Sequence, residues 1–220
     1  MKGVAGIGFQ KIISFRQLLT YINVAECHTI FYRILFLPDD TIFAIYHLQI
    51  QCLAFSKDNG RTFTKYEKNP ILRSSDGLKD FRDPKVFRYE PEDKWVMIVS
   101  ADKEMRFYDS KNLKDWNYMS SFGEGYGAQP CQFECPDMVE LPVDGDLNRK
   151  KWALIVNVNP GCYFGGSATQ YFTGDFDGTK FICDNQPNVT KWLDWGKDHY
   201  ATVCFSNTGE RTIAVPWMSN

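Results

Sequence analysis

Two short segments of the sequence carry acids in settings that suit chemistry. Asp83 lies in Phe81-Arg82-Asp83-Pro84, and Glu134 lies about fifty positions later in Phe133-Glu134-Cys135-Pro136-Asp137. A strand-like run follows each segment, so each acid is expected at the mouth of its own β-sheet unit, facing a shared pocket. Two carboxyl groups that meet across a pocket can cleave a glycosidic bond. The pair therefore suggests glycoside chemistry.

Each acid also has an ordinary structural interpretation. Asp-Pro sequences favour turns, so Asp83 could simply cap a turn before a strand. Glu134 by itself is most simply a solvated charge at the rim of a fold. The two acids occur in order and in matching contexts, and this joint occurrence favours the chemical interpretation of both.

Strand-forming elements must position these acids. Aromatic residues make up 15% of the 220 residues, with 17 Phe, 11 Tyr and 6 Trp, which favours strands and suits sugar-stacking surfaces, although most rings should belong to the core.

The net charge is only -2, and no stripe rich in Lys or Arg appears, which disfavours a nucleic-acid partner. No apolar run approaches the length of a membrane span.

The seven cysteines form no disulfide framework. Their number is odd and their spacing scattered, which fits reduced, buried thiols. Cys131 and Cys135 are four apart, but no histidine has ligand spacing to them, so neither a metal nor another cofactor is expected. The N-terminal stretch is interrupted by polar residues and is a poor signal peptide, which leaves the compartment open.

From residue 51 onward, short strands recur with polar turns between them. A hairpin is expected around the charged, Pro-containing turn at 90–94, and units of about four strands repeat roughly every fifty residues. The predicted strands are 51–55, 86–89, 95–101, 106–110, 116–120, 137–141, 152–158, 168–172, 180–182, 200–205 and 212–218. This pattern predicts an all-β chain, a partial β-propeller with about three recognisable blades.

Two further segments bear on the organisation of the chain. The stretch from Ser56 to Phe63 contains Asp58, Gly60 and Thr62 before an aromatic residue, which fits either an Asp-box turn of a propeller blade or an ordinary Asn-Gly turn. In the first fifty residues, apolar positions at helical spacing predict a helix over 8–23. We therefore divide the chain into an atypical N-terminal segment, 1–50, and a propeller domain, 51–220.

Several ordered motifs resemble those of glycoside hydrolase family 32, the group of invertases, inulinases and levanases. They are spread over residues 51–220, and together they are far more specific than a lone Arg-Asp-Pro. The motifs are Arg82-Asp83-Pro84, Glu134-Cys135-Pro136-Asp137, Asp175-Phe176-Asp177-Gly178, the segment from Asp194 to Ala201, and Trp217-Met218-Ser219-Asn220. The resemblance implies a five-bladed propeller with a funnel-shaped pocket, a fructose-containing substrate and hydrolysis with retention.

The resemblance also implies roles for individual residues. Glu134 matches the general acid/base, and Asp83 matches the carboxylate that holds sugar hydroxyls and stabilises the transition state. Arg82 lies beside Asp83, and Cys135 adjusts the surroundings of the acid. Tyr200 and Trp217 are most simply core aromatic residues, but the resemblance places their segments near the pocket, as substrate-binding candidates.

One element of the family pattern is missing from the sequence. Members of the family attack the anomeric carbon with an Asp in an Asn-Asp-Pro-Asn-type segment, whereas the only Asp-Pro pair here is Asp83-Pro84. Without a nucleophile a retaining hydrolase loses its covalent step, so this chain is predicted to hydrolyse fructosides very poorly or not at all.

Four interpretations remain open on the sequence. The chain is a fragment of a β-fructosidase, a fructan-binding propeller without catalysis, an interaction propeller that does not use the acids, or an arabinoside-acting propeller hydrolase. The oligomeric state is not determined.

Overall fold

A computed structural model describes the strands Arg33–Phe36 and Ile42–His47 and residues 49–219 of the chain. The helix predicted over 8–23 and one cysteine, Cys27, lie outside these residues. Within the described residues, the regular structure is β-strand apart from one short 3-10 turn, as the sequence predicted for the region from residue 51 onward. The described residues contain no helix that is long and apolar enough to cross a membrane.

The strands of the described part of the chain form four antiparallel sheets in chain order. The first sheet contains β1 (Arg33–Phe36), β2 (Ile42–His47), β3 (Ile50–Ser56), β4 (Thr64–Lys65) and β5 (Leu72–Arg73). The second contains β6 (Phe81–Tyr89), β7 (Lys94–Ala101), β8 (Glu104–Ser110) and β9 (Asn117–Phe122). The third contains β10 (Glu134–Val143), β11 (Asp146–Val158), β12 (Ala168–Phe176) and β13 (Phe181–Cys183). The fourth contains β14 (His199–Cys204) and β15 (Ala214–Met218).

These sheets confirm the predicted propeller blades, and the first sheet adds to the three expected units. In the second and third sheets four consecutive strands lie side by side in sequence order, which is the up-and-down pattern of a blade. In the first sheet, β2 ends at His47 and pairs with β3, which begins at Ile50. The division into segments 1–50 and 51–220 itself stays a prediction.

The turns that the sequence indicated are present. Between β6 and β7, Glu90–Glu92 forms a single 3-10 turn, and Asp93 closes it in the left-handed region at φ 49°. Between β3 and β4, Asp58 Oδ1 accepts hydrogen bonds from the backbone N–H groups of Arg61 (3.0 Å) and Thr62 (2.9 Å). Asn59 and Gly60 both have positive φ, at 57° and 76°, as an Asn-Gly turn requires. The structure thus confirms a turn between β3 and β4, and both interpretations of that turn stay open.

Apolar layers join neighbouring sheets. Leu53 of the first sheet packs with Phe81 and Met97 of the second in one buried cluster. Between the second and third sheets a larger cluster is dominated by aromatic rings, and Phe107 stacks on Phe176 at 5.8 Å between ring centroids. Burial of such rings is the main favourable term in the fold, which explains much of the high aromatic content.

The first strands of the last three sheets share a local distortion. Each pairs with its neighbour through a register shift, at 82–85 in β6, at 134–137 in β10 and at 200–203 in β14. In each bulge one non-glycine residue has positive φ, namely Asp83 (58°), Cys135 (45°) and Ala201 (51°). A β-bulge re-aims the side chains beside it. Three adjacent inner strands therefore present equivalent positions at one end of the fold.

The six described cysteines differ in burial. Cys52, Cys135, Cys162 and Cys204 are buried, and Cys131 and Cys183 are partly buried. Burial raises the pKa of the Cys131 and Cys183 thiols. The burial of four of the six agrees with the predicted buried thiols, and their reduced state stays a prediction.

Candidate active site

Arg82, Glu134 and Tyr200 occupy the equivalent bulge positions and form one hydrogen-bonded row. Arg82 Nη2 donates to Glu134 Oε1 at 2.8 Å, and the Tyr200 hydroxyl donates to Glu134 Oε2. Arg82 also pairs with Asp80. The Glu134 and Arg82 side chains are each 13% exposed, so the row is accessible but largely shielded from bulk water. The structure thus brings together three of the residues that the sequence singled out.

Asp83 and Cys135 form a second contact directly beside this row. Asp83 Oδ2 accepts hydrogen bonds from the Cys135 backbone N–H at 3.0 Å and from its thiol at 3.5 Å. The sequence placed Cys135 next to Glu134, and the structure shows that its polar atoms face the other acid. Asp83 is 5% exposed, so its carboxylate is held against the neighbouring strand.

Asn157 supports the backbone of the acid/base candidate. Its side-chain amide donates to the carbonyl oxygens of Cys135 (2.9 Å) and Glu134 (3.4 Å). Its Oδ1 accepts from Thr169 Oγ1 at 2.5 Å and from the Thr202 N–H at 3.3 Å. Sequence reasoning missed this residue, although a lone amide in the apolar run 154–158 was a usable signal, because buried polar groups need partners.

A buried ion pair joins the two acid-bearing segments. Lys85 Nζ is 2.5 Å from Asp137 Oδ1, and the two side chains are 7% and 0% exposed. Asp137 Oδ2 also accepts the Cys204 N–H at 2.8 Å. Lys85 and Asp137 each lie in the same segment as one of the acids, so the pair ties strands β6, β10 and β14 together. Sequence reasoning assigned no role to either residue.

The two candidate aromatic residues differ in exposure. Tyr200 is 7% exposed, as a core residue would be, whereas Trp217 is 59% exposed, so the core interpretation is wrong for Trp217. Their ring centroids are 6.1 Å apart. Trp217 therefore extends the row of polar side chains with an exposed aromatic surface.

The ionisable groups around Glu134 are shifted in ways that follow from these contacts. Burial works to lower the pKa of Arg82, but the hydrogen bonds to Glu134 and Asp80 outweigh it, and the net shift is upward. Burial raises the pKa of Tyr200, and the hydrogen bond to Glu134 adds to that rise. Arg82 is thus a permanent cation in the site, and Tyr200 a neutral hydroxyl.

The raised pKa of Tyr200 predicts a loss of stability in alkali. Above about pH 10 the unfolded chain releases the tyrosine proton while the folded chain keeps it, so stability decreases as pH rises. At neutral pH, Tyr200→Phe should lower the free energy of unfolding by about 1.5 to 3 kcal/mol, the range for a hydrogen bond to a charged group. Above pH 10, the difference in free energy of unfolding between the wild type and Tyr200→Phe should shrink by at most about 1.4 kcal/mol per pH unit. Urea titrations of both proteins at pH 7 to 11 test this, and a constant gap would contradict it.

The geometry defines a class of protein: a β-propeller with a shielded glutamic acid, a second carboxylate and an arginine at one end of its inner strands. The family model for the glycosyl hydrolases family 32 N-terminal domain matches residues 38–220. The chain belongs to glycosyl hydrolase family 32, as its motifs indicated.

Individual relatives agree with this assignment. The chain is 51% identical over 175 residues to a levanase of Bacillus subtilis, covering 78% of this chain and 26% of the levanase. It is 42% identical over 177 residues to invertase 2 of Saccharomyces cerevisiae, covering 77% of this chain and 32% of the invertase. A solved fructofuranosidase of Schwanniomyces occidentalis, complexed with fructose, matches with a TM-score of 0.74 and 40% identity, over 81% of this chain and 35% of that one. The chain thus spans about a quarter to a third of the length of these relatives.

Proposed function

We propose that this chain forms the acid/base-bearing part of a β-fructofuranosidase-type hydrolase, which binds β-fructosides such as sucrose, inulin or levan. The observation that carries the proposal is Glu134, held between Arg82 and Tyr200, with Asp83 on the adjacent inner strand. Relatives described as levanase and invertase, and a fructofuranosidase solved with fructose, support this substrate class. They favour fructosides over the arabinosides that the sequence left open.

The contacts of Glu134 indicate which of its oxygens carries the proton. A guanidinium can only donate hydrogen bonds, so the oxygen facing Arg82, Oε1, must remain an acceptor. A hydroxyl can donate or accept, so the oxygen facing Tyr200, Oε2, can be either protonated or bare. We therefore assign Oε2 as the atom that protonates the leaving oxygen of the glycoside and later accepts a proton from water.

Asp83 and Arg82 would hold the sugar in this scheme. Asp83 Oδ2 is already anchored by the Cys135 N–H, which orients the carboxylate. An oriented carboxylate can accept hydrogen bonds from sugar hydroxyls and stabilise the positive charge that develops at the anomeric carbon. Arg82 fixes Glu134 and adds a donor at the same rim. Cys135 acts by positioning Asp83 rather than by reacting.

A second candidate function rests on the missing nucleophile. The 220-residue sequence contains no Asn-Asp-Pro-Asn segment, so the proposed acids can bind and polarise a fructoside but lack the group that forms the covalent intermediate. This favours fructan binding without turnover as the alternative for the chain by itself.

Turnover measurements distinguish the two functions. The purified chain alone should release no measurable fructose from sucrose or inulin. Adding a polypeptide that carries a family-type first blade should restore release, and Glu134→Gln should lower the restored rate by about 10²- to 10⁴-fold, the usual contribution of general acid/base catalysis.

Glu140→Gln is the matched control, because Glu140 lies on the same strand, β10, with its side chain 43% exposed. The control should leave the restored rate unchanged. Invertase-like turnover by the chain alone would disprove the predicted inactivity, and an unimpaired Glu134→Gln variant would exclude Glu134 as the acid/base.

A further inference from the structure

The start of β6, directly before Arg82 and Asp83, is held by two side chains of the first sheet. The Phe81 carbonyl oxygen accepts a hydrogen bond from Gln51 Nε2 at 3.0 Å, and the Phe81 N–H donates to Gln49 Oε1 at 2.8 Å. Gln51 lies in β3, and Gln49 lies in the connection between β2 and β3. Both polar groups of the Phe81 backbone are therefore bound by the sheet that precedes it.

The second sheet holds Phe133, directly before Glu134, in the same way. The Ser100 hydroxyl donates to the Phe133 carbonyl, and the Phe133 N–H donates to the Asp102 carbonyl at 2.7 Å. Ser100 lies near the end of β7, and Asp102 lies in the connection between β7 and β8. Asp102 and Gln49 both have positive φ, at 57° and 56°. The same connection of two successive sheets, between the second and third strands, thus meets the residue before a member of the row.

The third junction forms this contact less directly. The Thr169 hydroxyl is 3.4 Å from the carbonyl oxygen of His199, the residue before Tyr200. A hydroxyl has a single proton, and the shorter contact of Thr169, at 2.5 Å to Asn157 Oδ1, uses it. At this junction the Asn157 network takes the place of the direct bond.

Gln51 and Ser100 are polar side chains in the interior of the fold, and both are buried. The second polar atom of the Gln51 amide, Oε1, finds no hydrogen-bond partner among the described residues. A buried acceptor without a partner costs stability, so an apolar side chain would suit the core better at this position. Sequences break this rule mainly at functional sites. The bond from Gln51 to the Phe81 carbonyl therefore explains the amide.

We propose that Gln51 and Ser100 are positioning residues of the sugar site. By holding the backbone just before Asp83 and Glu134, they set the direction in which the two acids project. This inference rests on the proposed function and assigns two further residues to its site. A misplacement of about 1 Å at a reacting centre can cost about 100-fold in rate, so a contact that fixes the strand start has a large effect on the site.

The two contacts reach Asp83 by different routes. Gln51 acts through β6, the strand that carries Asp83. Ser100 acts through β10, because Phe133 lies two residues before Cys135, whose N–H binds Asp83 Oδ2 at 3.0 Å. Loss of either contact releases the start of a strand that carries one partner of this bond. Both losses are therefore expected to weaken sugar binding by the chain itself.

Isothermal calorimetry with fructose tests the proposal on the Gln51→Met and Ser100→Ala variants. Each should bind fructose about tenfold more weakly than the wild type, a factor that corresponds to the net contribution of one hydrogen bond. Gln51→Met should leave the urea midpoint close to the wild-type value, because it exchanges one unpaired buried acceptor, Oε1, for another, the Phe81 carbonyl. Weaker binding at unchanged stability is a result that a merely structural role would not give.

Two control variants separate positioning from packing. Val99→Ala removes buried apolar contacts beside Ser100, on the same strand, and should lower the urea midpoint without changing fructose binding. Ser100→Thr keeps the hydroxyl that donates to the Phe133 carbonyl, so it should restore wild-type fructose binding.

The outcomes distinguish this inference from the proposed function. If the wild-type chain does not bind fructose, both are overturned. If the wild type binds fructose and Gln51→Met and Ser100→Ala bind it equally well, only the positioning role fails. A Val99→Ala variant that loses as much affinity as Ser100→Ala, or a Ser100→Thr variant that is not rescued, would also overturn the positioning role, because the loss would then follow packing and not the hydrogen bond.

Discussion

Replacing Asp137 with alanine should lower the free energy of unfolding by about 3 to 5 kcal/mol, because it leaves the Lys85 ammonium buried without its counter-charge. Lys85 Nζ is 2.5 Å from Asp137 Oδ1, and both side chains are almost inaccessible to solvent. The substitution also removes the acceptor of the Cys204 N–H, so β14 loses an anchor. Urea denaturation followed by circular dichroism measures the change, from the midpoint at an unchanged slope.

Two controls separate the buried charge from a general loss of packing. The double variant Lys85→Met with Asp137→Leu removes both charges and should recover most of the lost stability, because an apolar pair of similar size is often tolerated in place of a buried ion pair. Glu140→Ala breaks the exposed pair with Lys150, at 3.3 Å, and should cost less than about 1 kcal/mol. Equal losses for Asp137→Ala and Glu140→Ala would contradict the assigned role of the buried pair.

Replacing Asp83 with alanine should weaken fructose binding by at least about 100-fold. The proposed role gives Asp83 two or more hydrogen bonds to sugar hydroxyls, each worth about 1.5 to 3 kcal/mol when one partner is charged. Isothermal calorimetry of the wild-type and variant chains with fructose measures the loss. Asp83→Asn should show a smaller loss, because it keeps the shape of the side chain and removes only the charge.

The controls for this experiment exclude unfolding as the cause. Asp175→Ala removes a carboxylate that is 61% exposed on the third sheet and should leave fructose binding unchanged. The free energy of unfolding of the Asp83→Asn variant, measured by urea denaturation, should stay within about 1 kcal/mol of the wild-type value while its fructose affinity falls. Unchanged binding by Asp83→Ala would remove Asp83 from any sugar site.

Strand interiors were predictable because their signals are local. In the second sheet, the predicted strand 95–101 starts one residue after the observed start of β7, at Lys94. In the third sheet, the predicted strand 152–158 starts six residues after the observed start of β11, at Asp146. The strand starts at the site were predicted too late, at residues 86 and 137 instead of Phe81 and Glu134. In both cases the bulge contains a proline and a residue with positive φ, which looks like a turn in sequence although the strand continues through it.

The sequence alone determined the family, the all-β class and the two acids, because these depend on residue types at short, ordered spacings. Only the tertiary structure decided which groups touch: Tyr200 contacts Glu134, Cys135 contacts Asp83, and Lys85 pairs with Asp137. The two residues of each pair are 52 to 66 positions apart in the sequence. They meet because the bulges of the adjacent strands β6, β10 and β14 occupy equivalent positions at the starts of those strands. Local propensity carries no information about how one sheet aligns with the next, and that alignment turns two acids into a site.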